Sequence, residues 1–239
     1  MYFGRLYFGP AWYRVSYVGW KLIAALIAVT AIAAEGDRKY RDPSPPALRP
    51  LASAPIPAPE RNPDVTFHAK PKPLAAGAVT HDWTSFLGPT HNAMSTETRL
   101  LHTWPKTGPK LVWEMKKGTA YSSPAISGDR LLFIHRIGKE ERVECLHRET
   151  GERYWQFAYP TDFEDRYGYN NGPRASPVID GDRVYTYGAE GKLHCLKLET
   201  GQVYWKRDLR GEFKVPQDFF GVASTPLIEG ERMIRLSLR

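Results

Sequence analysis

The sequence is poor in the residues that carry most redox, metal and nucleophilic chemistry. It has two cysteines in 239 residues, Cys145 and Cys195, with no second cysteine close to either. That excludes a CxxC redox pair and the usual zinc spacings. No Gly-rich loop follows a strand pattern, so a phosphate cradle has no sequence support. No basic run is interleaved with aromatics. Of the net charge of +7, three charges belong to Arg5, Arg14 and Lys21 in an N-terminal leader without acids, leaving +4 for the rest. Such a balance keeps a protein soluble and does not point to nucleic acid. The apolar run Leu22–Ala34 stops short of the roughly 20 residues that span a bilayer.

What is present is a repeat. Residues 122–157 read SSPAISGDRLLFIHRIGKEERVECLHRETGERYWQF, and 175–209 read ASPVIDGDRVYTYGAEGKLHCLKLETGQVYWKRDL. Both have Ser-Pro, a Gly-Asp-Arg turn, two β-rich runs, a Glu-Thr-Gly turn and a Tyr-Trp pair. Trp155 and Trp205 lie 50 residues apart (205 − 155), as do Gly151 and Gly201. A third copy starts at STPLIEGER, residues 224–232. A period of about 40–50 residues with four strands per unit predicts a β-propeller. In the second copy the strands are expected near 175–179, 184–189, 192–198 and 203–208. Tight turns are expected at Gly181, Gly191 and Gly201, where positive φ favours glycine. Cys145 and Cys195 fall at equivalent positions of successive units. They are expected as separate, buried, inert thiols, too far apart for a disulfide.

The flanks divide the chain. Residues 1–34 have a weakly basic aromatic start, an apolar core and small residues at Ala31, Ala33 and Ala34. Two readings stand: an export signal cleaved near Ala33 or Ala34, or an uncleaved membrane anchor over Val15–Ala34. Residues 35–81 hold ten prolines between Asp42 and Pro73 and little apolar periodicity, so a disordered, extended spacer is expected there. Ordered structure is expected over 82–239. Trp113 lies on an outer strand of a partial blade, two full blades follow, and a further partial blade comes last. In MIRLSLR the expected glycine turn is missing, and the repeat reads as interrupted after Glu231.

The pattern LxxETGxxYW, in LHRETGERYW (146–155) and LKLETGQVYW (196–205), resembles the tryptophan-docking repeat of the quinoprotein, or pyrroloquinoline-quinone (PQQ)-like, β-propeller family. DWTSFLGPTHNAMS, WPKTGPKLVWE, YSSPAI, NGPRASP and DFFGVASTPLIEG extend the resemblance over residues 82–232. It implies an all-β fold, a partial propeller of four-stranded antiparallel blades forming an incomplete ring. It also implies that Trp113, Trp155 and Trp205 dock onto glycine turns such as those of Gly151 and Gly201. Catalytic members bind PQQ and calcium, use an Asp as base and carry adjacent cysteines. This sequence has no Cys-Cys pair, so no cofactor, catalytic residue or metal ligand is expected. PQQ and calcium belong only to the alternative that the chain is part of a PQQ-dependent alcohol dehydrogenase-like enzyme. The acidic loop Asp162, Glu164, Asp165 with Asn170 and Asn171 matches no calcium-loop signature and reads as a solvated charged loop. His135 reads as a satisfied polar residue at a strand edge.

The candidate site is instead the pair of long inter-blade connections, 158–174 and 210–221, which exceed the usual loop length. Tyr167, Tyr169, Asn170, Arg174, Phe219 and Phe220 are expected to form an aromatic and polar binding patch on one face. Together these readings predict a non-catalytic cell-envelope propeller, exported or anchored at the inner membrane through its N-terminal segment. Its expected partner is a protein or an envelope ligand, and not nucleic acid.

Overall fold

The computed structural model describes residues 3–8, 11–16, 48, 50–73, 76–97, 103–214, 220–230 and 232–234. The chain divides into two compact units, Met1–Ala47 and Leu48–Arg239. In the first, strand β1 (Phe3–Phe8) pairs antiparallel with β2 (Ala11–Ser16), from Phe3↔Ser16 to Phe8↔Ala11. Two aromatic-rich runs flanking Gly9-Pro10 are a hairpin pattern. The leader at 1–21, read as a basic n-region, thus carries strands. The apolar run 22–34 lies outside the described residues. Among those residues no helix is long and apolar enough to cross a membrane.

The second unit is a partial β-propeller. Strands β5 (Ala125–Ser127), β6 (Arg130–Ile137), β7 (Glu140–His147) and β8 (Arg153–Pro160) form one antiparallel meander in that order. Strands β9 (Val178–Asp180), β10 (Arg183–Tyr187), β11 (Lys192–Lys197) and β12 (Val203–Asp208) form the next. Before them β3 (Val65–Phe67) pairs with β4 (Trp113–Met115). After them β13 (Leu227–Glu229) pairs with β14 (Arg232–Ile234). Gly151, Gly181, Gly191 and Gly201 all have positive φ, from 57° to 88°, as their tight turns require.

Both full blades carry the same β-bulge. Cys145 faces Trp155 and Leu146 faces Arg153, so Tyr154 is skipped. Likewise Cys195 faces Trp205 and Leu196 faces Val203, skipping Tyr204. A bulge re-aims side chains. Here it sends the Tyr154 hydroxyl to Asp129 Oδ2 at 2.5 Å and the Tyr204 hydroxyl to Asp182 Oδ2 at 2.7 Å. The Tyr-Trp pair therefore works in two directions: the tyrosine ties its own blade's Gly-Asp-Arg turn, and the tryptophan faces a neighbour.

The main core lies between the two full blades. Leu132, Ile134, Val143, Cys145, Trp155 and Tyr159 of the first pack with Ile179, Val184 and Leu196 of the second. Both cysteines are free and buried, and burial first of all pushes each thiol up to about 12.

Three expectations change. The spacer expected over 35–81 contains β3, and the Glu60 and Arg153 backbones exchange hydrogen bonds at 2.9 and 2.7 Å. Asn62 starts this ordered stretch, its Oδ1 accepting from Asp64 N and its carbonyl from Val65 N. Val-Thr-Phe is a good strand former that proline-rich surroundings conceal. The 210–221 connection holds a short helix, α1 (Leu209–Phe213), capped by Asp208 Oδ1 accepting from Gly211 N. His135 is fully buried rather than at an edge. Its Nδ1 accepts from Gly118 N at 2.9 Å and its Nε2 lies 3.5 Å from Glu144 Oε1.

The segment from Asp82 runs along the first strands of both blades. Trp83 exchanges backbone hydrogen bonds with Ile126 of β5, and Thr84 accepts from Ile179 N of β9. Asp82 accepts from Ser127 Oγ and Gly128 N.

Candidate functional site

Two sets of residues join the blades, and a third stands exposed beside them. The first set is the tryptophan seam. Trp155 Nε1 donates to Leu198 O at 2.9 Å, and its ring covers Gly201 of the next blade. Trp113 Nε1 donates to Arg148 O at 3.1 Å, and its ring covers Gly151. Trp155 is 7% exposed, which corresponds to roughly 4–6 kcal/mol of gross burial as an upper bound. Trp205 packs on Tyr185, ring centroids 6.0 Å apart, beside Ile228 and Met233.

The second set is a hydroxyl chain. Ser176 Oγ accepts from Ser123 N at 2.9 Å and lies 2.9 Å from Ser123 Oγ, while Ser176 N donates to Thr225 Oγ1 at 3.1 Å. These are the residues before proline in SSP, ASP and STP, one per repeat. The recurrence was visible in the sequence, but its role was not.

The third set is the connection between β8 and β9. Its hub is Arg174, whose side chain is nearly buried. One amino group donates to Asp165 Oδ2 at 2.8 Å and to Asn170 O at 3.1 Å, and the other to Gly172 O at 3.2 Å. The guanidinium lies 5.5, 5.6 and 5.5 Å from the ring centres of Tyr121, Phe163 and Phe220, within cation–π range. The Asp165 carboxyl also accepts from Tyr167 N and Asn170 N. The Tyr167 N–H first, then the Asn170 N–H and Arg174, hold it below the usual carboxylate range against desolvation. The Asn171 carboxamide accepts from Asp165 N at 2.8 Å. Arg136 clamps the loop from β6 by donating to the Phe163 and Asn171 carbonyls. Phe163 is buried beneath Gly221, and Val222 N donates to Ala189 O. A loop wired this way is fixed although it lacks regular structure.

This base carries exposed rings. Tyr121, Tyr167, Tyr169 and Phe220 are 60, 57, 70 and 49% exposed. Tyr167 lies 6.0 Å from Tyr169 and 6.4 Å from Phe220 between ring centres. Of the sequence candidates, Tyr167, Tyr169, Asn170, Arg174 and Phe220 are brought together, and Phe219 lies outside the described residues. Arg174 and Asn170 serve the base and the tyrosines form the surface. Tyr121, Phe163, Asp165 and Arg136 complete it; the YSSP and DFED segments held three of them, without periodicity to mark them. Asp165 is committed to Arg174 and backbone amides. Among the described residues no three His, Cys, Asp or Glu side chains converge as metal ligands.

Comparison with known proteins bears on the repeats. Residues 139–237 match the family model for the outer membrane protein assembly factor BamB. Among solved structures, BamB from Moraxella catarrhalis is 24% identical over 49% of this chain and 30% of its own, with a TM-score of 0.36. The quinohemoprotein alcohol dehydrogenase ADHIIG from Pseudomonas putida HK5 is 18% identical over 49% and 16%, with a TM-score of 0.34. A europium-containing methanol dehydrogenase is 18% identical over 35% and 14%, with a TM-score of 0.27. The chain spans less than a third of the length of each. No curated protein matches it.

Proposed function

We propose that this chain, which carries PQQ-like propeller repeats, is a non-catalytic propeller that binds a partner protein in the cell envelope. The observation behind this reading is the exposed ring cluster of Tyr121, Tyr167, Tyr169 and Phe220 on its Arg174–Asp165 base. Aromatic anchors held rigidly dominate protein interfaces, because they bury large area at little ordering cost. The Arg174 charge is already paired, so the surface offers apolar contact without an unmatched ion. The match to the BamB family model is consistent with a protein partner and a place outside the cytoplasm.

In vivo photo-crosslinking tests this. A benzophenone side chain replaces Tyr169 in the full chain, and adducts are resolved by mass spectrometry. One discrete protein adduct is expected, lost in the Tyr167→Ala/Phe220→Ala double variant. Absence of any adduct, with alcohol-dependent dye reduction by protein supplied with PQQ and calcium, would overturn the reading in favour of a quinoprotein oxidoreductase.

A further inference from the structure

A cavity of about 590 Å³ opens between β3 with the residues before it and the Glu-Thr-Gly turn of the first blade. Its walls include Arg61, Asn62, Thr66, Phe67, Thr150 and Glu152. It shares no residue with the aromatic patch, and that volume is the size of small-molecule sites. We propose that it binds a neutral oligosaccharide.

The first argument is charge. The walls carry one cation, Arg61, and one anion, Glu152, so the site favours neither sign of ligand. The second is unspent hydrogen-bonding capacity. Among the described residues Arg61 has no ion-pair or side-chain hydrogen-bond partner. Glu152 uses one carboxylate oxygen, Oε2, on the Thr150 hydroxyl at 3.0 Å. Asn62 is 3% exposed, and its amide nitrogen reaches only the Met115 sulfur at 3.8 Å, a weak acceptor. The Arg61 guanidinium and the Glu152 carboxylate are planar groups that address neighbouring hydroxyls in pairs, and Asn62 adds its amide nitrogen as a donor, its Oδ1 being taken by Asp64 N. The third argument is the Phe67 ring, 52% exposed. A sugar offers an apolar C–H face and a rim of hydroxyls that both donate and accept. Ring and planar polar groups together meet both.

The shape of the cavity depends on Gly151. A Cβ there would lie 3.0 Å from Val65 and 3.1 Å from the Trp113 ring, so the turn and β3 hold the wall in position from both sides.

The test is saturation-transfer NMR and titration calorimetry on the full chain with maltotriose, cellotriose and triacetylchitotriose. Saturable binding of at least one is expected, weakened tenfold or more by Phe67→Ala and by Arg61→Ala. Arg61 is exposed, so that variant keeps the fold even if Phe67→Ala does not. Failure of all three sugars to saturate, or binding unchanged in Arg61→Ala, overturns the proposal. Neither result bears on the crosslink at Tyr169.

Discussion

A Cβ on Gly201 would stand 2.7 Å from both Cδ2 and Cε3 of Trp155, a distance real side chains do not tolerate. The glycine also has φ of 71°. Indole and glycine thus fit as one joint between two blades, secured by the Trp155–Leu198 hydrogen bond.

Gly201→Ala is therefore expected to cost about 3 kcal/mol, combining left-handed strain with overpacking. Gly181→Ala is the control. Gly181 has φ of 57° but open space around it, so about 1 kcal/mol is expected. Urea denaturation of both variants measures the difference.

Ser176→Ala removes the acceptor of Ser123 N and one partner of Ser123 Oγ, at a site 1% exposed. A loss of about 1–2 kcal/mol is expected, because a half-buried amide loses its partner. Amide exchange at Ser123 should accelerate more than exchange within β7.

His194 and Glu141 give the inter-blade core opposite responses to pH. His194 lies 4.3 Å from Tyr159 and 5.0 Å from Phe157, ring centre to ring centre. Burial first, then Lys206 and Lys192, lowers its pKa to about 4. The unfolded chain takes up the proton first, so stability is lost as pH falls from about 6.5 towards 4, by about 3 kcal/mol in all. His194→Gln is expected to flatten that decline in denaturation curves measured at several pH values.

Glu141 accepts from the Tyr159 hydroxyl at 2.6 Å and from Ala189 N at 3.0 Å. Burial outweighs both bonds and raises its pKa. Its contribution is full below the ordinary glutamate value and is lost as pH rises through the raised one. Glu141→Gln should remove that loss above the ordinary glutamate value while leaving the His194 limb in place.

Arg174→Lys keeps the charge but not the planar fork that reaches Asp165, Asn170 and Gly172. Faster proteolysis within 162–174 is expected, with the thermal transition of the blades little changed. Equal cleavage of variant and wild type would show that the fork does not hold the loop.

The blades were readable because their signals are local and occur twice. Gly-Asp-Arg, Glu-Thr-Gly and Tyr-Trp lie at fixed spacing around alternating strands, so the four-stranded units follow from pattern alone. The bulge that separates Tyr154 from Trp155 has no composition signal; it depends on where two strands meet. The same is true of Arg174. Its side chain is placed by Asp165, nine residues away, and by Tyr121 and Phe220, 53 and 46 residues away, which no periodicity connects. β3 escaped notice for another reason: three residues between prolines are too few to show alternation, and their partners, Trp113, Glu114 and Met115, lie far along the chain.

The Ser123–Ser176–Thr225 chain and the Trp155–Gly201 joint share one property. Every residue in them belongs to a motif that recurs in successive units. Copying or excising one unit of about fifty residues would thus bring matching surfaces together at the new junction. An array of this kind changes its number of copies without inventing a new interface, which frees the connecting loops to diversify.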